Sequence, residues 1–435
     1  MYFKFIITTM LLIPAAGIHA GDAPLSLGKD AAVARSLVAN KHLRAAEMEL
    51  HRARIELYWA GRLDNPELDL SAAHDVLGNA EGEANFEIAF AQKFPLTSRL
   101  RSARELRRVQ VILAEAEINE RRRKLANQVR IACVEFAAAN QKASLYSRLT
   151  ALNEEIATFL SAIADRGEAS QLDAAGARLA GKKLEREANA ALIESRKWLG
   201  ELRSLLGLKP DAALALNVDL TLPASPPPFR DNLANAVIQR PDYQASLIES
   251  NVARAELNLA EARSLADLTV KLFAERERSN DNPDGLDNNT LIGLGFSFPL
   301  PLRQRNQAAI ESSRTKIARR KLETDAIALK IENEIAIALV TRKDTFEAAR
   351  NASGKVLQLA ESNLQGYREA YSAGQASFTQ VQRAQEQKLE LEKAALELTR
   401  EYHLAELALK FATAADTYSS GSETPSKPNP AKNNQ

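Results

Sequence analysis

Few side chains in this 435-residue chain have the type and spacing that covalent or metal chemistry requires. Beyond the first twenty residues the histidines are His42, His51, His74 and His403, and none stands at an i, i+4 spacing from another His or from Cys133. A discrete metal site is therefore not expected. No glycine-rich phosphate loop, nucleophile elbow or His/carboxylate cluster is present, so neither an enzyme nor a cofactor is expected. What recurs is a small polar turn: Gly167, Ala169 and Ser170, then 207 positions later Gly374, Ala376 and Ser377, written GEAS and GQAS ahead of a charged Leu/Ala-rich stretch. Glycine permits a chain reversal and serine caps the helix that follows. The repeated Ala-Ser also reads as a shared docking surface.

The turns sit between long segments of helical period. No proline interrupts the chain from about Leu100 to Ile163, and Leu125, Val129, Ala132 and Phe136 recur in steps of three and four. A returning helix is expected to about Leu206, with the pattern repeated over Asn306 to Tyr371 and Phe378 to about Phe411. A second match, Phe86 to Arg101 against Thr290 to Arg305, makes the chain a tandem duplication. Between the helices the period falls to two: Phe86, Ile88, Phe90 and Phe94 alternate with Glu87, Ala89, Ala91 and Lys93. Leu68, Leu70, Ala72 and Val76, then Leu268, Val270 and Leu272, then Ile292, Leu294, Phe296 and Phe298 give three more such strands. Turn-rich loops join each pair, the second spanning Ser279 to Asn289.

Strands of this length with one apolar face suit a tilted crossing of a bilayer, and equally a small soluble sheet against a core. Lys4, the apolar stretch Phe5 to Ile18 and Ala20 read as a secretory leader, or alternatively as an uncleaved anchor, which tips the balance toward the membrane. Four strands cannot close a barrel in lipid, so several copies would have to pool them. A formal charge of +1 gives no electrostatic case for nucleic acid. Cys133 stands alone inside a helix and reads as a small buried apolar residue.

AGRLDNPELDL (Ala60 to Leu70), RPDYQAS (Arg240 to Ser246), LGFSFPLPLRQRNQAAI (Leu294 to Ile310), YSAGQASFTQVQRAQ (Tyr371 to Gln385) and EYHLAELAL (Glu401 to Leu409) resemble the TolC family of outer-membrane channel proteins. Within it, FPLPL…RNQ…I and EYHLAELAL are most similar to the CzcC branch of cobalt, zinc and cadmium efflux. The resemblance implies a mainly α fold with a small β part: long antiparallel coiled-coil helices plus four membrane strands per protomer, a homotrimer forming a 12-stranded barrel and a periplasmic α-helical barrel. It also implies an outer-membrane location with the helices in the periplasm, and work with a periplasmic membrane-fusion adaptor and an inner-membrane RND-type transporter. The turns would then be adaptor-docking tips. Family members commonly place two aspartates beyond the second tip; this chain has Gln380 and Arg383 there and Asp173 in the first repeat, leaving these three as gate candidates.

The expected organisation is a leader at 1–20 and a first repeat at 21–207, with strands at about 66–77 and 84–95 and a turn at about 165–171. An equatorial linker at 208–239 precedes a second repeat at 240–415, with strands at about 267–278 and 290–300 and a turn at about 372–378, and a disordered tail at 416–435. The function expected is an exit duct for divalent heavy-metal cations. Drug or organic-solute efflux, type I secretion and, in another class, a soluble periplasmic coiled-coil adaptor or scaffold remain as alternatives.

Overall fold

The computed structural model describes residues 25–74, 82–166, 170–229, 233–281 and 285–415. The expected leader and tail, Val76, and the first-tip residues Gly167 and Ala169 lie outside the described residues. A strand, β1 (Leu25–Gly28), and a helix, α1 (Lys29–Ala39), come first. One pattern then occurs twice: α2 (Lys41–Trp59), β2 (Glu67–His74), β3 (Ala84–Phe94), α3 (Arg99–Ala164) and α4 (Gln171–Leu205) in the first half. After β4 (Leu214–Asn217) and α5 (Leu233–Gln239), the second half supplies α6 (Pro241–Ala262), β5 (Leu268–Asp281), β6 (Gly285–Ser297), α7 (Gln307–Asn351), α8 (Leu357–Ser372) and α9 (Phe378–Ala412).

Helix α3 holds 66 residues without a glycine or proline, which at ~1.5 Å per residue makes a rod of about 99 Å. Its length is sustained by partners along it. Leu125, Val129, Ala132 and Cys133 pack with Val33 of α1 and Leu202 of α4, while Tyr146 meets Leu184 and Ala188 further along. Burial in this cluster pushes the Cys133 thiol up to about 11, which leaves it an inert packing group. The matching segment of the second half is not one continuous helix. A π turn at Ala352–Val356 separates α7 from α8, with Gly354 at φ −97° and ψ −116°. Glycine leaves the helical basin at least cost, and heptad spacing does not record such a break.

Near the middle of α3, the segment between the two repeats packs on the helices. β1 and β4 pair in parallel, Leu25 opposite Leu214 and Gly28 opposite Asn217. Leu220 packs on Val134 and Leu407, Leu222 lies against Phe346 and Tyr402, and Arg342 donates to the Pro227 carbonyl at 2.9 Å. The N-terminal strand thus pairs with β4 of the segment between the repeats, a role its sequence did not announce.

The four remaining strands form one antiparallel sheet in the order β2-β3-β5-β6. Register places Leu70, Ile88 and Ala274 in one row and Leu68, Phe90, Leu272 and Leu294 in the next, so the apolar residues of all four strands share a face. The β5–β6 hairpin continues beyond that band in polar residues, with Ser279 opposite Asp287 and Asp281 opposite Gly285. Most of the segment expected as a loop is therefore strand. Backbone pairing persists there without apolar alternation, because alternation marks burial or lipid and not hydrogen bonding.

Candidate functional site

The sheet is the first functional element. Its apolar face is open: Leu68, Leu70, Phe90, Ile292 and Phe296 are 63%, 64%, 49%, 77% and 66% exposed. Among the described residues no element of the protomer covers them. The opposite face is polar and small, with ion pairs of Lys93 to Glu67 (2.6 Å) and of Lys271 to Glu87. A Cβ on Gly293 would overlap the Phe273 ring, so the glycine makes room for a large inner-face side chain on the neighbouring strand. Both outer strands, β2 and β6, keep one edge without a strand partner among the described residues. Among those residues no helix is long and apolar enough to cross a membrane.

The far ends of the helices carry the second element. Ser170 caps α4 by accepting from the Leu172 N–H at 3.2 Å, and Asp173 stands half-buried in the first turn, where a carboxylate complements the helix dipole. The second turn closes with Gly374 at φ +72°; the Gly374 N–H donates to the Tyr371 carbonyl at 3.0 Å and the Gln375 N–H to the Ala370 carbonyl at 2.8 Å. Ser377 and Gln380 form a capping box, the Ser377 N–H donating to Gln380 Oε1 at 2.8 Å. Gly374, Ser377 and Gln380 therefore each have a task in shaping the turn, and Ala376 is half-buried beside them. Arg383 is exposed and has no ion-pair partner among the described residues. No hydrogen bond or ion pair joins Asp173, Gln380 and Arg383 within the protomer among the described residues.

Sequence reasoning missed what holds the two turns together. Phe378 is 8% exposed and packs with Ala157, Leu160, Ala174 and Ala177 of the first hairpin, while Tyr371 meets its ring edge-on at 6.2 Å. An aromatic directly after the Ser377 cap was the available signal. Above this cluster a groove of about 380 Å³ runs between α3, α4 and α9, with Asn153, Lys183, Glu187, Glu386 and Lys393 on its walls. Lys388 joins α9 to α8 through Glu361 and lies 3.4 Å from Glu392. Burial works against its charge, but the Glu361 hydrogen bond and both carboxylates outweigh it and hold the amine above its usual range.

Near the sheet end of α9, two arginines grip its last carbonyls. Arg240, 3% exposed, donates to Glu334 at 2.6 Å, to Asp242 at 2.9 Å and to the Ala412 carbonyl at 3.2 Å. Arg123 donates to the Phe411 carbonyl at 2.6 Å, stacks 3.7 Å from the Phe411 ring and binds Glu120 at 2.7 Å. Burial opposes ionisation of Asp242, but the Arg240 bonds, with Arg123 at 3.9 Å, keep its carboxyl below the ordinary range. His403 faces the linker with Nε2 unpartnered among the described residues; burial lowers its basicity, opposed by backbone hydrogen bonding at Leu220 and by Asp219. Among the described residues no group of three or more His, Cys, Asp and Glu is placed to hold a metal ion.

An open sheet with a bare apolar face, continued from β3 by a single helix of about 99 Å, defines the subunit of a membrane duct. The chain belongs to the outer membrane efflux protein family, which it matches over residues 32–208 and 232–415, one segment for each repeat. It is similar in fold to CusC, studied for the conformational changes that accompany folding and transmembrane channel formation, with a TM-score of 0.73 at 18% identity over 92% of this chain and 96% of that one. The outer membrane protein VceC of Vibrio cholerae (TM-score 0.69, 18% identity, 88% and 95% covered) and the CmeC outer membrane channel of Campylobacter jejuni (0.70, 16%, 88% and 85%) are similar too. No curated protein sequence matches the chain.

Proposed function

We propose that three copies of this chain join their sheets into a 12-stranded barrel in the outer membrane of a Gram-negative cell. Their helices continue it as a periplasmic tunnel, the exit duct of a tripartite efflux system. The observation that carries the reading is the sheet: a bare apolar face together with two open edges is untenable in water or in lipid for a lone copy, and edge-to-edge closure removes both problems. Exposed apolar residues along α7 and α8, such as Leu322, Leu329, Ile337 and Leu359, supply a matching stripe for contact between neighbouring helical walls.

The second part of the proposal concerns the tips. Gly167, Ala169, Ser170, Gly374, Ala376 and Ser377 dock a periplasmic membrane-fusion adaptor that links the duct to an inner-membrane RND-type transporter. Transport is passive: adaptor binding opens the tips, and cargo leaves through the barrel. Among the described residues no hydrogen bond or ion pair joins Asp173, Gln380 and Arg383 inside the protomer, which supports a gate formed between copies. Conductance of reconstituted trimers tests this. Arg383→Ala and Asp173→Ala should alter gating or ion selectivity, and unchanged records for both would remove them from the gate.

Divalent cobalt, zinc and cadmium are the proposed cargo, on the resemblance of FPLPL…RNQ and EYHLAELAL to the metal-efflux branch. A second reading, organic-solute efflux, is favoured by Gln380 and Arg383, since a threefold ring of arginines facing the lumen would repel cations. Growth of a deletion strain on zinc, cadmium and cobalt beside dyes, detergents and antibiotics separates the two. Sensitivity confined to metals supports the first, and sensitivity confined to organic compounds replaces it with the second.

A further inference from the structure

We propose that the end of the sheet nearest the helices carries an arginine collar that binds the phosphates of anionic phospholipids in the leaflet facing the helical body. The inference rests on the membrane reading of the sheet given above. The four strand–helix junctions (residues 60–66, 95–98, 263–267 and 298–306) together with the first ten residues of α3 (99–108) contain nine arginines, three carboxylates and no lysine. Lysine supplies more than a third of the chain's 57 basic residues, so the junctions use the guanidinium selectively. A planar fork of N–H donors matches phosphate oxygens two at a time, which an ammonium cannot do.

Three of the nine are engaged: Arg99 with Asp267 at 2.6 Å, Arg107 with Glu56 at 2.8 Å, and Arg108 with Glu105 at 3.8 Å. Arg62, Arg101, Arg104, Arg263, Arg303 and Arg305 are exposed and have no carboxylate partner among the described residues. Elsewhere on the helices, exposed charges are commonly paired within a turn, as in Arg52 with Glu49 and Lys182 with Glu185. On α3, Arg101, Arg104 and Arg108 fall at i, i+3 and i+7, one face of the helix.

Two further features place a lipid surface here. Tyr58 and Trp59 are 68% and 59% exposed at the end of α2, and Arg62 stacks 4.0 Å from the Trp59 ring and 4.9 Å from the Tyr58 ring. Stacking fixes the guanidinium plane and leaves its edge free, while the rings are of the type that settles at a headgroup boundary. The hairpin end of the sheet has the opposite sign: Glu83, Glu275, Glu277 and Asp287 outnumber Arg276 and Arg278 among the described residues. Attraction for anions therefore belongs to one end of the barrel only.

The test uses the trimer in phosphatidylcholine vesicles carrying spin-labelled phosphatidylglycerol or spin-labelled phosphatidylcholine, with the motionally restricted fraction giving relative association. Wild type should favour phosphatidylglycerol by about threefold or more at low salt, and the preference should shrink in high salt. The variants R62Q/R101Q/R104Q and R263Q/R303Q/R305Q should each lower it, and together abolish it. Equal association of the two lipids with wild type, or a preference that survives all six substitutions, overturns the collar. Loss of trimer stability in the variants with lipid preference intact would instead assign these arginines to contacts between subunits, also overturning it. Should a variant fail to assemble, the wild-type trimer decides alone: a preference that inorganic phosphate lowers more than chloride does at equal ionic strength supports the collar, and one that phosphate leaves unchanged overturns it. A wild-type protein that never inserts refutes the membrane reading itself, a different result from insertion without preference.

Discussion

Replacing Ile88 by lysine should damage the assembled protein far more than neutralising the residue beside it. Ile88 lies in the centre of β3, on the bare face, with Leu70 and Ala274 as its cross-strand neighbours. Eleven residues at about 3.3 Å each give β3 a length of about 36 Å, and a tilt near 40° reduces this to roughly 28 Å of height, close to the apolar thickness of a membrane. Ile88 then sits near the midplane, where a lysine on the lipid face costs about 2–4 kcal/mol. Three copies make roughly 6–12 kcal/mol per trimer if the sites are independent. Glu87 points the other way and pairs with Lys271, both partly exposed, so Glu87→Gln should cost less than about 1 kcal/mol per copy. Urea titration of the protein reconstituted in vesicles measures both. Equal losses, or a larger loss for Glu87→Gln, would mean that the apolar face does not meet lipid.

Four further outcomes follow from particular contacts. Arg240→Met strands Asp242, Glu334 and the Ala412 carbonyl and should destabilise the helical body by roughly 3–5 kcal/mol, toward the lower end because both carboxylates touch water, as read from a denaturant midpoint. Because the Asp242 carboxyl is depressed when folded, the stability it contributes is present above its ordinary 3.8 and is lost as pH falls through the folded value; Asp242→Asn should remove that acid-side slope. Gly207 has φ +65°, and the Ala39 carbonyl oxygen lies 2.5 Å from where a Cβ would stand. Gly207→Ala should therefore cost more than about 2 kcal/mol, with α1 the first helix to gain amide exchange. His403 is depressed below 6.5, so the unfolded chain takes up its proton first and stability should drop as pH falls from 6.5; His403→Gln should flatten that part of the profile.

Much of the architecture was legible because long coiled coils write their period plainly. Leu125, Val129 and Ala132 recur in the sequence and share one core, and Phe86, Ile88 and Phe90 alternate and share one face. What escaped reading had no periodic signature. Gly354 interrupts a helix through one residue's backbone freedom. β1 and β4 are four residues each, too short for alternation to register. The hairpin beyond Arg278 pairs through backbone groups that polar side chains neither mark nor prevent. Arg123 and Arg240 look like surface charges in sequence and are buried only because helix ends 170 and more residues away supply their carbonyl partners. The tips were found as a repeat, and their geometry gives Gly374, Ser377 and Gln380 tasks in the turn, whereas Arg383 has none inside the protomer among the described residues.

Closure of the sheet between copies is the claim on which the rest depends, and cysteine cross-linking of its two open edges tests it most directly. Ser71→Cys on β2, combined in turn with Leu291→Cys and Ser297→Cys on β6, places a thiol on each unpartnered strand, and buried Cys133 stays out of reach of the oxidant. Oxidation in membranes should give, for at least one pairing, a covalent ladder that ends at the trimer, with each single-cysteine control remaining monomeric under denaturing conditions. Monomers in every pairing would contradict the account, and so would a ladder that runs on past three.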